Sequence, residues 1–134
     1  MRELLFRGQT RRKGELVKMA SGEPIPSNWV YGGVFQGSGD FSIIYTYEPI
    51  DKFTVYSDTV GQFTGFTDKN GTKIFEGDIV RYSNGYGYIA WAEQHGAFMC
   101  VEENGEYWEW FDNMFDIEVV GNKWDNPELW EQVK

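Results

Sequence analysis

The sequence predicts an all-β protein, and three observations carry that prediction. Aromatic residues make up 18% of the chain and glycine occurs 16 times, the composition of many short strands joined by tight turns. Three Asn-Gly pairs, Asn70-Gly71, Asn84-Gly85 and Asn104-Gly105, each stand between β-rich runs. Asn-Gly is the strongest short hairpin signal, because both residues tolerate positive φ and so match strand twist. Only the last ten or so residues read as a helix.

The elements follow in order. "ELLFRG" is a short apolar strand and "RRKGE" a turn. "MASGEPIPSN" is a loop, since Pro24 and Pro26 break both helix and ladder. "NWVYGGVFQ" and "FSIIYTY" are β-rich, separated by "GSGD". "VGQFTGF" leads through "TDKNGT" into "KIFEGDIVRYS", and from there through Asn84-Gly85 into "YGYIAWAEQ". "AFMCVEE" leads through Asn104-Gly105 into "EYWEWF", and "IEVVG" follows. Five or six short antiparallel strands in a β-meander curl most simply into an SH3-like small barrel. "DNPELWEQVK" offers Asp125 or Asn126 as N-cap, Pro127 in the first turn and Glu128 near the positive end of the helix. It is too short to stand alone, so Leu129 or Trp130 docks it on the sheet. The predicted organisation is an N-terminal β segment over residues 1–58 and a barrel core with its helix over residues 59–134.

The chain has 134 residues and a net charge of −9. It is long enough to bury a core without staples. The charge argues against non-specific binding to nucleic acid or to an anionic membrane. No apolar run approaches the ~20 residues of a membrane span, and "MRELLFRGQTRRKGE" lacks a signal-peptide core, so the expected compartment is the cytoplasm. The single cysteine, Cys100, fits a reducing compartment and reads as a small core hydrophobe. Residues 1–20 carry six basic and two acidic side chains, whereas Glu93 to Glu131 holds eleven acidic residues and only Lys123 as a base. This is a solvated surface with a basic loop, or else an acidic face for a basic partner.

The stretch "TGFTDKNGTKIFEGDIV" packs Asp68, Asn70, Gly71, Glu76 and Asp78 together. As a calcium loop starting at Asp68 it fails: the glycine comes at the fourth position, Lys73 takes the sixth and Ile79 the twelfth. It has no phosphate-loop spacing and no flanking helix N-terminus. Turn chemistry accounts for every residue. Asp68 bonds backbone two residues on, Asn70 and Gly71 accept left-handed conformations, Lys69 and Thr72 stay wet, and Gly77-Asp78 makes a second bend. Glu76 and Asp78 are each placed to accept a backbone N–H. Asn70-Gly71-Thr72 also matches a glycosylation acceptor, idle without a secretory signal.

Other chemistry is thin. His95 and Cys100 stand five residues apart across a bend, with nothing to orient the histidine. A zinc site would need more His or Cys. Glu102, Glu103, Glu106, Glu109, Asp112 and Asp116 sit at hairpin tips or alternate with aromatics, the pattern of an exposed strand face rather than a catalytic carboxylate pair. No enzyme activity and no cofactor are expected. The aromatics are the better lead. Tyr82, Tyr86 and Tyr88 flank the Asn84-Gly85 turn, and Trp108 and Trp110 share one strand face. They are core and cross-strand pairs, or an exposed surface that binds a protein in preference to nucleic acid. Self-association is a further reading. The alternatives are nucleic-acid binding through the aromatics with Arg11, Arg12 and Lys13, and DNA mimicry by Glu102, Glu103, Glu106 and Glu109.

"TVGQFTGFTDKNGTKIFEGDIV", residues 59–80, closely resembles the signature of the YopX family of bacteriophage and prophage proteins. "IEVVGNKWDNPELW", residues 117–130, resembles the closing segment of that family, and "LLFRG" and "NWVYGG" resemble its early pieces. The matching positions are Thr64, Gly65, Asp68, Asn70, Gly71, Glu76, Gly77 and Asp78, then Gly121, Asn122, Asn126 and Pro127, mostly turn and cap residues. Phe66 and Lys123-Trp124 depart slightly from the pattern. The resemblance implies a phage origin, a mainly β architecture and the cytoplasm of a bacterial host. It carries over no catalytic residue.

Overall fold

Antiparallel β-structure dominates the computed structural model, which describes residues 3–11, 28–46, 51–82, 85–102, 108–109 and 116–133. The chain divides into two units, Met1–Gln62 and Phe63–Lys134. Among the described residues no helix is long and apolar enough to cross a membrane.

In the first unit, β1 (Phe6–Gln9) pairs with β2 (Trp29–Gly32), from Phe6↔Gly32 to Gln9↔Trp29. A three-stranded sheet follows, ordered β3 (Val34–Ser38), β4 (Phe41–Thr46) and β5 (Asp51–Tyr56). The run "NWVYGGVFQ" is therefore two strands, because β2 takes β1 as its partner and β3 takes β4. β5 stands outside the strands expected from sequence, although Phe53 and Val55 alternate with Lys52 and Thr54. Val30, Ile44 and Val55 form the core, with Phe6, Phe53 and Val60 packed against it. A 3-10 turn at Ser57–Thr59 closes the unit. Its buried Thr59 hydroxyl accepts the Gln9 N–H at 2.8 Å and donates to the Tyr56 carbonyl at 2.6 Å.

The unit boundary falls within β6 (Gly61–Thr67). In the second unit β6 pairs with β7 (Lys73–Phe75), and a five-stranded sheet follows. That sheet uses β8 (Asp78–Tyr82), β9 (Gly85–Ala92), β10 (Ala97–Glu102), β11 (Trp108–Glu109) and β12 (Glu118–Asn122). β8 to β11 form a meander, and β12 returns to the free side of β8, giving the order β11-β10-β9-β8-β12. Among the described residues these pairings do not close into a ring.

Side-chain alternation buries both faces of this sheet. Val80, Ile89, Phe98 and Cys100 meet Ile74 and Ile117 on one face. On the other, Ile79, Met99 and Val101 are buried, and the helix α1 (Pro127–Val133) lies against β8, β9 and β12. Pro127 opens the helix as expected. Trp130 docks edge-on against Tyr88, with ring centroids 4.8 Å apart, and Val133 is buried.

Two hairpin expectations are refined by register. Gly85 is already in β9, opposite Tyr82, so it is a strand residue rather than half of a two-residue Asn-Gly turn. A slip of one residue would send Val80 and Ile89 to the wrong face, and that fixes the register. Cys100↔Glu109 and Val101↔Trp108 pair β10 with β11, a register whose connecting sequence has Asn104-Gly105 at its middle. Those two residues, like Asn84, lie outside the described residues.

Candidate functional site

The turn between β6 and β7 is organised by one carboxylate. Asp68 Oδ1 accepts the backbone N–H groups of Asn70 and Thr72, each at 2.9 Å, and Oδ2 accepts that of Val119 at 2.9 Å. The Gly71 N–H donates to the Asp68 carbonyl at 3.0 Å. Gly71 has φ +83, whereas no described non-glycine residue has positive φ. The turn therefore uses Gly71 alone in the left-handed region, with Asn70 on the right-handed side of the map. This is the three-residue type of hairpin with a bulge rather than a two-residue Asn-Gly turn. Burial pushes the Asp68 pKa up, but the bonds from Val119, Thr72 and Asn70, with the charge of Lys69, together outweigh it and hold the group below its ordinary value. Lys69 and Thr72 are exposed as expected, and Lys69 reaches Glu118 at 3.4 Å, beside the Arg81–Glu118 bond at 2.9 Å.

The second bend is built as tightly. Asp78 Oδ2 accepts the buried Phe75 N–H at 2.8 Å. Gly77 has φ +91, and a Cβ there would lie 2.5 Å from the Trp124 ring, so the indole seats on the bare backbone. Glu76 lies half-buried in the same bend, and Gly65 is exposed in β6. Asn122 Oδ1 accepts the N–H groups of Trp124 and Asp125 at 3.0 and 2.8 Å. Asn126 occupies the position before Pro127, but its side chain accepts the Asn122 N–H at 3.1 Å instead of capping the helix. Gly121 sits beside that side chain. These motif residues are joints between strands.

The expected aromatic residues are dispersed. Tyr82 points to the Val80 face and packs on the core there. Tyr86 and Tyr88 lie on the opposite face by alternation. Tyr88 is half-buried under Trp130, and that burial raises its pKa. Trp108 is placed by its backbone opposite Val101, while its side chain and Trp110 lie outside the described residues. So do Arg12, Lys13, Pro24, Pro26, Glu103, Glu106 and Asp112, and the side chain of Glu109. Cys100 is buried and His95 is exposed in a 3-10 turn.

A different aromatic surface lies in the first unit. Along β4, Ser42 and Ile44 point inward while Phe41, Ile43 and Tyr45 point outward. Across the ladder these outward residues meet Tyr56, Thr54 and Lys52. Phe41 is 50% exposed and Tyr45 38% exposed. The Phe41 and Tyr56 rings are 5.2 Å apart, and the Tyr45 hydroxyl donates to Gln36 at 3.4 Å on β3. The alternation of "FSIIYTY" was the signal available in the sequence, but alternation does not say which of its two faces is covered. An open sheet face with several aromatic rings has the composition of a protein contact surface.

No curated protein matches the chain. The model of the YopX protein family matches residues 34–131, a span running from β3 into α1 and including both the open aromatic face and the Asp68 turn. The chain belongs to the YopX family.

Proposed function

We propose that this chain is a non-enzymatic accessory protein of a bacteriophage or prophage, working in the cytoplasm of the bacterial host as a protein-interaction module. The observation that carries the reading is the outward face of β4 and β5, where Phe41 and Tyr45 stay open to solvent and rings line one ladder of the sheet. Exposed aromatics on a rigid sheet supply large contact area at small entropic cost. The residues most suited to covalent chemistry support a structural role: Cys100 fills a core and His95 lies exposed in a 3-10 turn. In the second unit the order β11-β10-β9-β8-β12, with the last strand beside the first of the meander, supports an SH3-like arrangement of the sheet.

Affinity capture of the tagged chain from host lysate, with nuclease, compared with the F41A/Y45A variant, tests the function. A stoichiometric protein that survives nuclease and is lost with the variant, at unchanged circular dichroism, is the expected result. Recovery of nucleic acid alone overturns the reading in favour of nucleic-acid binding.

A further inference from the structure

At one end of the aromatic face the β3–β4 turn and the 3-10 turn after β5 enclose a cleft of about 580 Å³, lined by Gly39, Asp40, Phe41, Tyr56, Ser57 and Asp58. Its two edges are fixed to each other. The Ser57 N–H donates to the Asp40 carbonyl at 2.9 Å, and the Ser42 and Ser57 hydroxyls share a hydrogen bond at 2.7 Å. One wall is the Phe41–Tyr56 pair, tilted by 34°. The other lining side chains that carry charge are both carboxylates, Asp40 and Asp58, and both are exposed. The site is thus preformed and lined by both aromatic rings and carboxylates.

We infer that this cleft receives an arginine side chain of the partner protein, an inference that rests on the β4–β5 face being a protein-docking surface. A guanidinium is planar, stacks on an aromatic ring and pairs with carboxylates through a fork of donors. A lysine ammonium is compact and strongly hydrated, with no plane to stack. Phosphate or carboxylate ligands meet two like charges. The net charge of −9 further favours a cationic partner in the encounter.

The test is a nuclear magnetic resonance titration of the ¹⁵N-labelled full chain with a short Gly-Ser peptide carrying one central arginine. The same peptide with lysine or citrulline at the centre is the comparison. Saturable shifts at residues 39–41 and 56–58 are expected, with the arginine peptide binding most tightly. D40N/D58N weakens it by about tenfold or more, and F41A weakens it too. E128Q/E131Q, which removes the same number of charges elsewhere, leaves it unchanged. Equal binding of the citrulline peptide, equal losses in the two charge variants, or shifts spread over the acidic residues 93–131 would overturn the inference. Partner capture separates the two levels. If F41A/Y45A loses the partner and D40N/D58N retains it, the docking face stands and the arginine cleft falls. If neither variant loses it, both fall.

Discussion

Asp68 Oδ2 accepts the backbone N–H of Val119 at 2.9 Å across 51 residues of sequence, so a single side chain in a hairpin turn fixes the strand that completes the sheet. The same carboxylate holds two N–H groups of its own turn. Asp68→Ala leaves three donors without their acceptor and is expected to cost about 3 kcal/mol. Urea denaturation monitored by tryptophan fluorescence measures it. Asp68→Asn, which retains one acceptor oxygen, falls between the two.

The same bonds give Asp68 a pH signature. Its folded-state pKa lies below the ordinary 3.8, so its contribution is full above the unfolded value and is lost as pH falls through the folded one. Wild-type stability therefore drops below about pH 4, and the Asp68→Ala variant drops less steeply. Denaturation midpoints taken between neutral and acid pH compare the two slopes.

Gly77 answers to two constraints at once, a φ of +91 and the Trp124 ring 2.5 Å from where a Cβ would stand. Gly77→Ala is expected to destabilise by about 2–4 kcal/mol. Trp124→Ala on top of it relieves the clash but not the backbone strain, so the double-mutant cycle shows a coupling smaller than the whole loss.

Tyr88 and Trp130 join the sheet to its helix. The burial that raises the Tyr88 pKa above 10.0 makes its contribution complete below the unfolded value, and it is lost as pH rises through the folded one. Trp130→Ala is expected to return the Tyr88 phenol toward its ordinary titration, read by absorbance at alkaline pH. The same change releases α1, at a stability cost of about 2 kcal/mol.

Phe41 behaves differently. Its ring is half open, and its stability contribution is chiefly the cross-strand pair with Tyr56. Phe41→Ala is expected to shift stability by less than about 1 kcal/mol, a figure that thermal unfolding checks. A larger loss would show the ring to be a core element.

What the sequence disclosed was mostly local. The chemistry of Asp68, Gly71 and Gly77 is set by neighbours within a few residues, and so is the start of α1 at Pro127. That is why the β6–β7 turn and the helix could be read without a structure. The Asn70-Gly71 geometry still differed in detail, because Thr72 as well as Asn70 competes for the Asp68 oxygen and lengthens the turn. β5 went unread although Phe53 and Val55 alternate with Lys52 and Thr54, the pattern of a strand with one buried face. The aromatic surplus was legible but its location was not. Tyr88 looks like a surface tyrosine until Trp130, far along the chain, covers it. Phe41 and Tyr45 look like core until Ile44 proves to be the inward residue.

The order in which the second unit is synthesised has a cost of its own. β12, the neighbour of β8, is the last of this sheet's five strands to leave the ribosome. Until residue 119 emerges, the nascent meander presents the backbone of β8 as an unpaired edge, and Asp68 has no Val119 to hold. A truncated chain ending before Glu118 would carry that edge permanently, a template on which another copy can add its own strand. Ribosomal stalling in this interval thus leaves the nascent chain open to misassembly.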